Sequence, residues 1–181
     1  MNRYITIVFA ILLAAPTVLA QKEYHLKLST AQLEIEGETL EGFQTDFDFL
    51  RESVRYGWWK YAKSFGSPTD MREYYMVKIP YDRTDGNQDI LIYTQTVENG
   101  DKADFLIAAR EYTYKEQVKE ILLDFKRSFH IDYYVGLIDE LGKEASAHSQ
   151  EYSKTGNVAS LRALLQIEAK INDLKNLLKR I

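Results

Sequence analysis

The feature that most constrains the fold is a long helical run from Lys115 to Tyr152, followed by a second run from Ser160 to Ile181. The first run carries two apolar stripes, and they lie about 110° apart on a wheel of 100° per residue. The first stripe is Val118, Ile121, Leu122, Phe125, Phe129 and Tyr133. The second is Ile131, Tyr134, Ile138, Leu141, Ala145, His148 and Tyr152. The first stripe predicts docking on a sheet, whereas the heptad spacing of the second predicts a partner helix.

The run from Ser160 to Ile181 repeats this heptad spacing and is as long as the second stripe, Ile131 to Tyr152; each spans about 31 Å at 1.5 Å per residue. Gly156-Asn157 supplies a short polar connection. Equal lengths and a short turn predict an antiparallel helical hairpin, a coiled-coil-like arm over residues 131–181. Three leucines flank the second seam, which predicts a further layer over them, either the body of the protein or a second copy. They are Leu161, Leu165 and Leu177.

Residues 21–130 read as an α+β body with a three- to five-stranded antiparallel sheet, packed by helices over 49–65 and 115–135. A turn at Glu36-Gly37-Glu38 predicts a hairpin over 32–47, and a further strand is expected within 71–80. The clearest strands, 90–97 and 103–110, are joined across Asn99-Gly100, the strongest short hairpin signal. The predicted fold class is therefore α+β with a helical hairpin arm.

Aromatic residues are abundant, with 13 tyrosines and 2 tryptophans. In the helix over 49–65, Trp58 falls on the predicted core-facing side, and Trp59 falls on the opposite side. Trp59 is expected either to be covered by another element or to be exposed and to take part in binding. With Tyr56 and Tyr74 it gives a candidate aromatic pocket for a glycan, peptide or lipid; the alternative is that such tyrosines sit at the core boundary.

The N-terminus predicts a signal peptide over residues 1–20. Arg3 precedes an apolar stretch over 4–15 that is too short to span a bilayer comfortably, and the residues before Gln21 fit the small-residue cleavage rule. No transmembrane segment is expected after cleavage. The chain has no cysteine, which excludes thiol catalysis and Cys-ligated metal. The expected location is exported, either periplasmic or secreted.

No pattern of catalytic or cofactor-binding residues stands out, so we expect no enzymatic activity and no cofactor.

Three candidate sites each have a simpler explanation. Glu144 and His148 lack the repeated spacing of a metal-binding helical bundle, so His148 is better explained as a residue of the seam between the two helices. Around Gly86, a calcium-loop alignment places Tyr81 and Ile92 where acidic ligands belong, which favours a solvated loop. Two of the acidic residues of the first hairpin could act as a catalytic pair in hydrolysis, but acids that alternate along a strand are more typical of its solvent-exposed face. They are Glu34, Glu36, Glu38 and Glu41.

Three stretches carry a resemblance to a known group of proteins: Trp58-Trp59-Lys60-Tyr61 through Phe65-Gly66, the hairpin over 90–110, and the heptads after Ile131. Together they resemble an uncharacterised family of exported bacterial proteins with an α+β domain and a C-terminal coiled-coil tail. The resemblance covers most of the chain after the signal peptide. It implies export and the order of parts, and it transfers no site residue.

These observations predict three segments: signal peptide 1–20, α+β domain 21–130 and helical arm 131–181. The expected function is that of a non-enzymatic envelope protein, which self-associates or docks a protein partner through its C-terminal helices. The alternative is a small-ligand module that uses the aromatic pocket. The formal net charge of −4 at pH 7 argues against nucleic acid as the partner.

Overall fold

A computed structural model describes residues 24–80 and 88–181. The predicted signal peptide, and the predicted loop around Gly86, lie outside these described residues. The strands are β1 (Ser29–Ile35), β2 (Glu38–Phe47), β3 (Ser67–Asp70), β4 (Tyr75–Ile79), β5 (Ile90–Asn99) and β6 (Lys102–Ala109). The helices are α1 (Arg51–Ala62), α2 (Lys115–Thr155) and α3 (Val158–Leu178), with a short 3-10 turn at Tyr112–Tyr114.

The strands form one antiparallel sheet in the order β1-β2-β6-β5-β4-β3. The β1–β2 and β5–β6 hairpins turn at the two predicted places, because Glu36, Gly37 and Gly100 all adopt positive φ. Their φ angles are 54°, 85° and 67°. The α+β fold class is thus confirmed, with β2 joining the later strands through β6.

The expected count of three to five strands was wrong, because the described residues form a six-stranded sheet. The additional strand is β3, Ser67–Asp70, which pairs with β4 at the edge of the sheet. Pro68 lies opposite Val77, and an edge strand tolerates proline because one of its sides needs no ladder donor. The first helix is also shorter than expected: α1 ends at Ala62 rather than at residue 65.

The main core lies between one face of the sheet and helices α1 and α2. Val118, Leu122 and Phe125 of α2 are at most 1 % exposed, so the first apolar stripe does dock on the sheet. Trp58 of α1 is fully buried and lies 5.1 Å from the ring centres of both Phe105 and Phe125. A continuous aromatic layer therefore joins sheet to helices.

The opposite face of the sheet carries a smaller cluster built on Leu33, Ile35, Leu40, Tyr93 and Ala108. The β1–β2 hairpin curls across this face. At its turn, the Glu36 carboxylate accepts a 2.8 Å hydrogen bond from the Tyr74 hydroxyl, which lies just before β4.

Gly42 permits the close approach of β2 to β6. A Cβ at this position would overlap the Ile107 carbonyl oxygen and touch the Ala108 side chain. The first hairpin is thereby held close against β6, and its turn reaches across the second face of the sheet to the segment before β4.

The arm consists of the second half of α2 and the whole of α3. Gly156 ends α2 in the left-handed conformation with φ 66°, and the Asn157 side chain caps α3 by accepting from Ala159 N at 3.0 Å. Tyr134, Ile167 and Leu174 are buried between the two helices. The predicted antiparallel helical hairpin is present, and α2 continues unbroken for 41 residues from sheet to tip.

Candidate functional site: the helical arm and its junction with the body

The three leucines predicted to flank the seam lie in two separate places. Leu161 and Leu165 are one helical turn apart near the tip, and Leu165 is 57 % exposed. Val158, also 57 % exposed, precedes Leu161 by three residues on the same flank. Leu177 instead lies at the base of the arm, where it lines a cavity of about 230 Å³ with Tyr24 and Tyr134. Val158, half-buried Leu161 and Leu165 therefore form an apolar surface near the tip of the arm, called here the tip flank.

The two segments of the arm carry opposite net charge. Residues 131–155 of α2 have five acidic and two basic side chains, a net charge of −3. Residues 158–181 have five basic and two acidic side chains, a net charge of +3. The acidic residues of the first are Asp132, Asp139, Glu140, Glu144 and Glu151, and the basic residues of the second are Arg162, Lys170, Lys175, Lys179 and Arg180. This asymmetry favours contact between the acidic surface of α2 and the basic surface of residues 158–181.

The tip of the arm is held by polar contacts around Glu151. Its carboxylate accepts from Asn157 Nδ2 at 3.3 Å, and hydrogen bonds from Ser160 and Asn157 lower the pKa of Glu151. His148 lies on the seam between two glutamates, 3.9 Å from Glu144 and 3.9 Å from Glu151. This is the arrangement of a seam histidine beside carboxylates.

The three candidate aromatic residues do not form one pocket. Tyr56 of α1 is 64 % exposed, and Trp59 is half-buried with Lys63 Nζ 3.3 Å from the centre of its ring. Tyr74 belongs to the cluster on the opposite face of the sheet, where its hydrogen bond to Glu36 raises the pKa of its hydroxyl.

A cleft of about 320 Å³ does lie between α1 and α2, but other aromatic residues line it. Tyr61, Phe125 and Phe129 contribute their rings, and Lys60, Ser128 and Asp132 contribute polar groups. Burial, with a contribution from the charge of Asp124, raises the pKa of Tyr61 to about 12, so its hydroxyl stays neutral.

Acids of the first hairpin fasten the hairpin to the rest of the body. Besides the Glu36–Tyr74 bond, Glu38 accepts from Arg110 at 3.2 Å and Glu41 accepts from Lys115 at 3.3 Å. Each of these three acids thus has a partner on a different part of the chain, which supports a structural role over a hydrolytic pair.

A buried lysine and a buried histidine at the junction of body and arm escaped prediction. Lys126 is 2 % exposed, and its Nζ donates to Thr45 Oγ1 at 2.9 Å and to the Asp46 carbonyl at 2.8 Å. His130 is 1 % exposed, and its Nδ1 lies 2.8 Å from the Lys126 carbonyl oxygen. Burial lowers the pKa of both side chains.

A sequence signal for this pair does exist. Buried positions recur every four residues along one row of α2, and Lys126 and His130 occupy two of them. The row is Val118, Leu122, Lys126, His130 and Tyr134. Residue type alone predicts that a lysine lies at the surface, because lysine is almost never fully buried unless it is paired. The spacing of the row predicts the opposite for Lys126, and the structure agrees with the spacing.

Within residues 24–80 and 88–181, no group of three acidic or histidine side chains is arranged to hold a metal ion. In the same part of the chain, no helix combines the length and apolar character that crossing a bilayer requires. Comparison with protein-family models, with curated proteins and with solved structures finds no match. Function is therefore inferred from the geometry of the chain itself.

Proposed function

We propose that this protein is a non-enzymatic exported protein that associates with a second copy of itself through the helical arm. The observation that carries the proposal is the tip flank on α3, which leaves Leu165 and Val158 each 57 % exposed beside a helix of opposite charge. When two arms pair, the basic segment 158–181 of one copy lies against the acidic segment 131–155 of the other. Export is supported by the apolar N-terminal stretch and the small residues before Gln21.

Physical arguments favour such a pairing. A two-helix hairpin buries one seam only, and fully burying a leucine side chain contributes about 1.5–3 kcal/mol relative to leaving it exposed. Opposite net charges on the two faces orient the encounter and disfavour contact between faces of like charge. The polar contacts at Glu151 hold the tip in a defined shape before association, which lowers the entropic cost of binding.

Leu165→Glu is expected to weaken self-association at least about tenfold, because it places a carboxylate in the apolar contact. Its effect on folding should be small, since the side chain is 57 % exposed in the single chain. Sedimentation velocity across a concentration series measures the dissociation constant. Salt should weaken the association of the native chain, because the charged faces are solvent-exposed.

Leu50→Glu is the matched control, since Leu50 is 60 % exposed on the body at the start of α1. It should leave the dissociation constant unchanged. A native chain that remains strictly monomeric at the highest soluble concentration would refute the proposal. Equal weakening by Leu165→Glu and Leu50→Glu would place the contact outside the arm.

A second candidate function, binding of a small ligand, is favoured by the cleft between α1 and α2. Its volume of about 320 Å³ and its aromatic lining suit a compact apolar ligand. Ser128→Phe fills the cleft from α2 and should abolish tryptophan fluorescence changes produced by any member of a glycan, peptide and lipid panel. Absence of a fluorescence change with every member, or a response that survives Ser128→Phe, would contradict binding in this cleft.

A further inference from the structure

Residues 24–28 have no regular secondary structure, yet they are held on the body at two points. Tyr24 stacks edge-on against the His130 ring with 5.1 Å between ring centres. Three residues on, the Lys27 carbonyl oxygen accepts a 2.7 Å hydrogen bond from Thr45 Oγ1. Tyr24 also lines the cavity at the base of the arm with Leu177 and Ile181. This segment therefore bridges the body and the end of α3.

Both attachment points depend on the buried pair in α2. Thr45 has a single hydroxyl proton, and it donates that proton to the Lys27 carbonyl oxygen. The hydroxyl oxygen therefore acts as an acceptor for Lys126 Nζ, at 2.9 Å. Lys126 thereby fixes the hydroxyl in the orientation that holds the segment. His130 supplies the surface on which Tyr24 rests, and its own ring is fixed by the contact with the Lys126 carbonyl.

His130 fits this place only as a neutral imidazole. A carbonyl oxygen can only accept, so Nδ1 carries the proton and donates at 2.8 Å. A second proton on Nε2 would create a buried cation one helical turn from the Lys126 ammonium.

The charged and titratable groups that face His130 come from three parts of the chain. Tyr24 and His25 approach from the segment, Asp48 from the β2–α1 connection, and Lys126 and Tyr134 from α2. Asp48 already lies 2.6 Å from Lys102 Nζ, and this ion pair lowers the pKa of Asp48. The carboxylate beside His130 is thus engaged elsewhere.

We propose that His130 is an acid-sensitive latch for residues 24–28. At neutral pH the uncharged ring holds Tyr24 against the junction. When the ring is protonated it must reach water, and it does so by displacing Tyr24, which frees the segment and opens the base of the arm.

The direction of the pH effect follows from burial, which is the largest influence on His130 and lowers its pKa below the ordinary value of 6.5. The unfolded or detached state then binds the proton more readily than the latched state. The latch is at full strength above the ordinary pKa, and it is lost as the pH falls through the lowered one.

Hydrogen exchange of the full chain, followed by mass spectrometry at pH 7.5 and pH 5 and corrected for intrinsic exchange, tests the latch. The protection of residues 24–28 is expected to fall at least about tenfold at the lower pH, because the detached state binds the proton more readily than the latched state. His130→Gln cannot titrate, so its protection should not depend on pH. His25→Gln and His148→Gln should both retain the native pH dependence.

Direct titration of the histidine ring signals of the native chain by NMR keeps the test independent of how well His130→Gln folds. His130 should titrate below 6.5, and its titration should coincide with the loss of protection. A His130 that titrates at or above 6.5 would overturn the latch. Protection that is flat with pH, or that loses its pH dependence in His25→Gln and keeps it in His130→Gln, would overturn it as well.

Discussion

Trp58→Ala is expected to lower the free energy of unfolding by about 3–5 kcal/mol, the range for removing a large buried aromatic side chain. Trp58 is fully buried, and its ring lies within 6.2 Å of the ring centres of Tyr61, Phe65, Phe105 and Phe125. It joins α1 to both the sheet and α2, so little nearby structure can collapse into the space. Domains of this kind have about 5–15 kcal/mol of stability in total, so the variant should unfold at much lower urea concentration. Far-UV circular dichroism during urea unfolding measures the loss.

Two further substitutions separate the packing of Trp58 from other effects. Trp58→Phe keeps most of the ring volume, and it removes an indole N–H that has no hydrogen-bond partner among the described residues. Its cost should therefore be well below that of Trp58→Ala. Trp59→Ala, on the half-buried side of the same helix, should also cost less. A loss under about 1 kcal/mol for Trp58→Ala would show that the aromatic layer does not hold α1 in place.

Gly42→Ala is expected to cost about 1–3 kcal/mol, toward the upper end, although it adds a single methyl group. The new Cβ would overlap the Ile107 carbonyl oxygen, which is backbone and cannot rotate away. Relief requires β2 and β6 to separate at the pair Gly42–Ala108. That pair joins the N-terminal hairpin to the rest of the sheet. Urea unfolding should show the loss, together with faster hydrogen exchange in β2.

Gly142→Ala is the matched control, because it makes the same chemical change where a Cβ would meet nothing within 4 Å. Gly142 lies inside α2, where alanine is favoured over glycine by about 0.5–1 kcal/mol. The two substitutions should therefore change stability in opposite directions. Equal effects would mean that the tight contact between β2 and β6 does not exist in solution.

Local sequence patterns were sufficient to predict the elements whose own residues define them. The hairpin at Asn99-Gly100 follows from turn chemistry, and the burial of Trp58 follows from its position on the helical wheel. The division of α2 into a sheet-facing and an arm-facing stripe follows from a change in apolar spacing near Ile131. Each of these signals is contained within a few turns or a few residues of chain.

Features that depend on distant residues could not be predicted in this way. Strand β3 is only four residues long and contains proline, so nothing in its own sequence marks it as a strand. The hydrogen bond between Glu36 and Tyr74 depends on how far the first hairpin curls over the sheet. Lys126 resembles a surface residue by type, and its burial depends on acceptors that β2 supplies.

The strand order has a consequence for how the chain is made. Among the described strands, β1 and β2 are synthesised first, yet β2 pairs with β6, which is synthesised last. A chain that emerges N-terminus first from the ribosome must therefore keep one edge of its first hairpin without its full pairing until Ala108 has emerged. Such edges are sites of strand addition and aggregation, and pairings between distant residues form slowly. The vulnerable interval ends when β6 closes against Gly42, so chaperone capture of the nascent chain should be concentrated before that point.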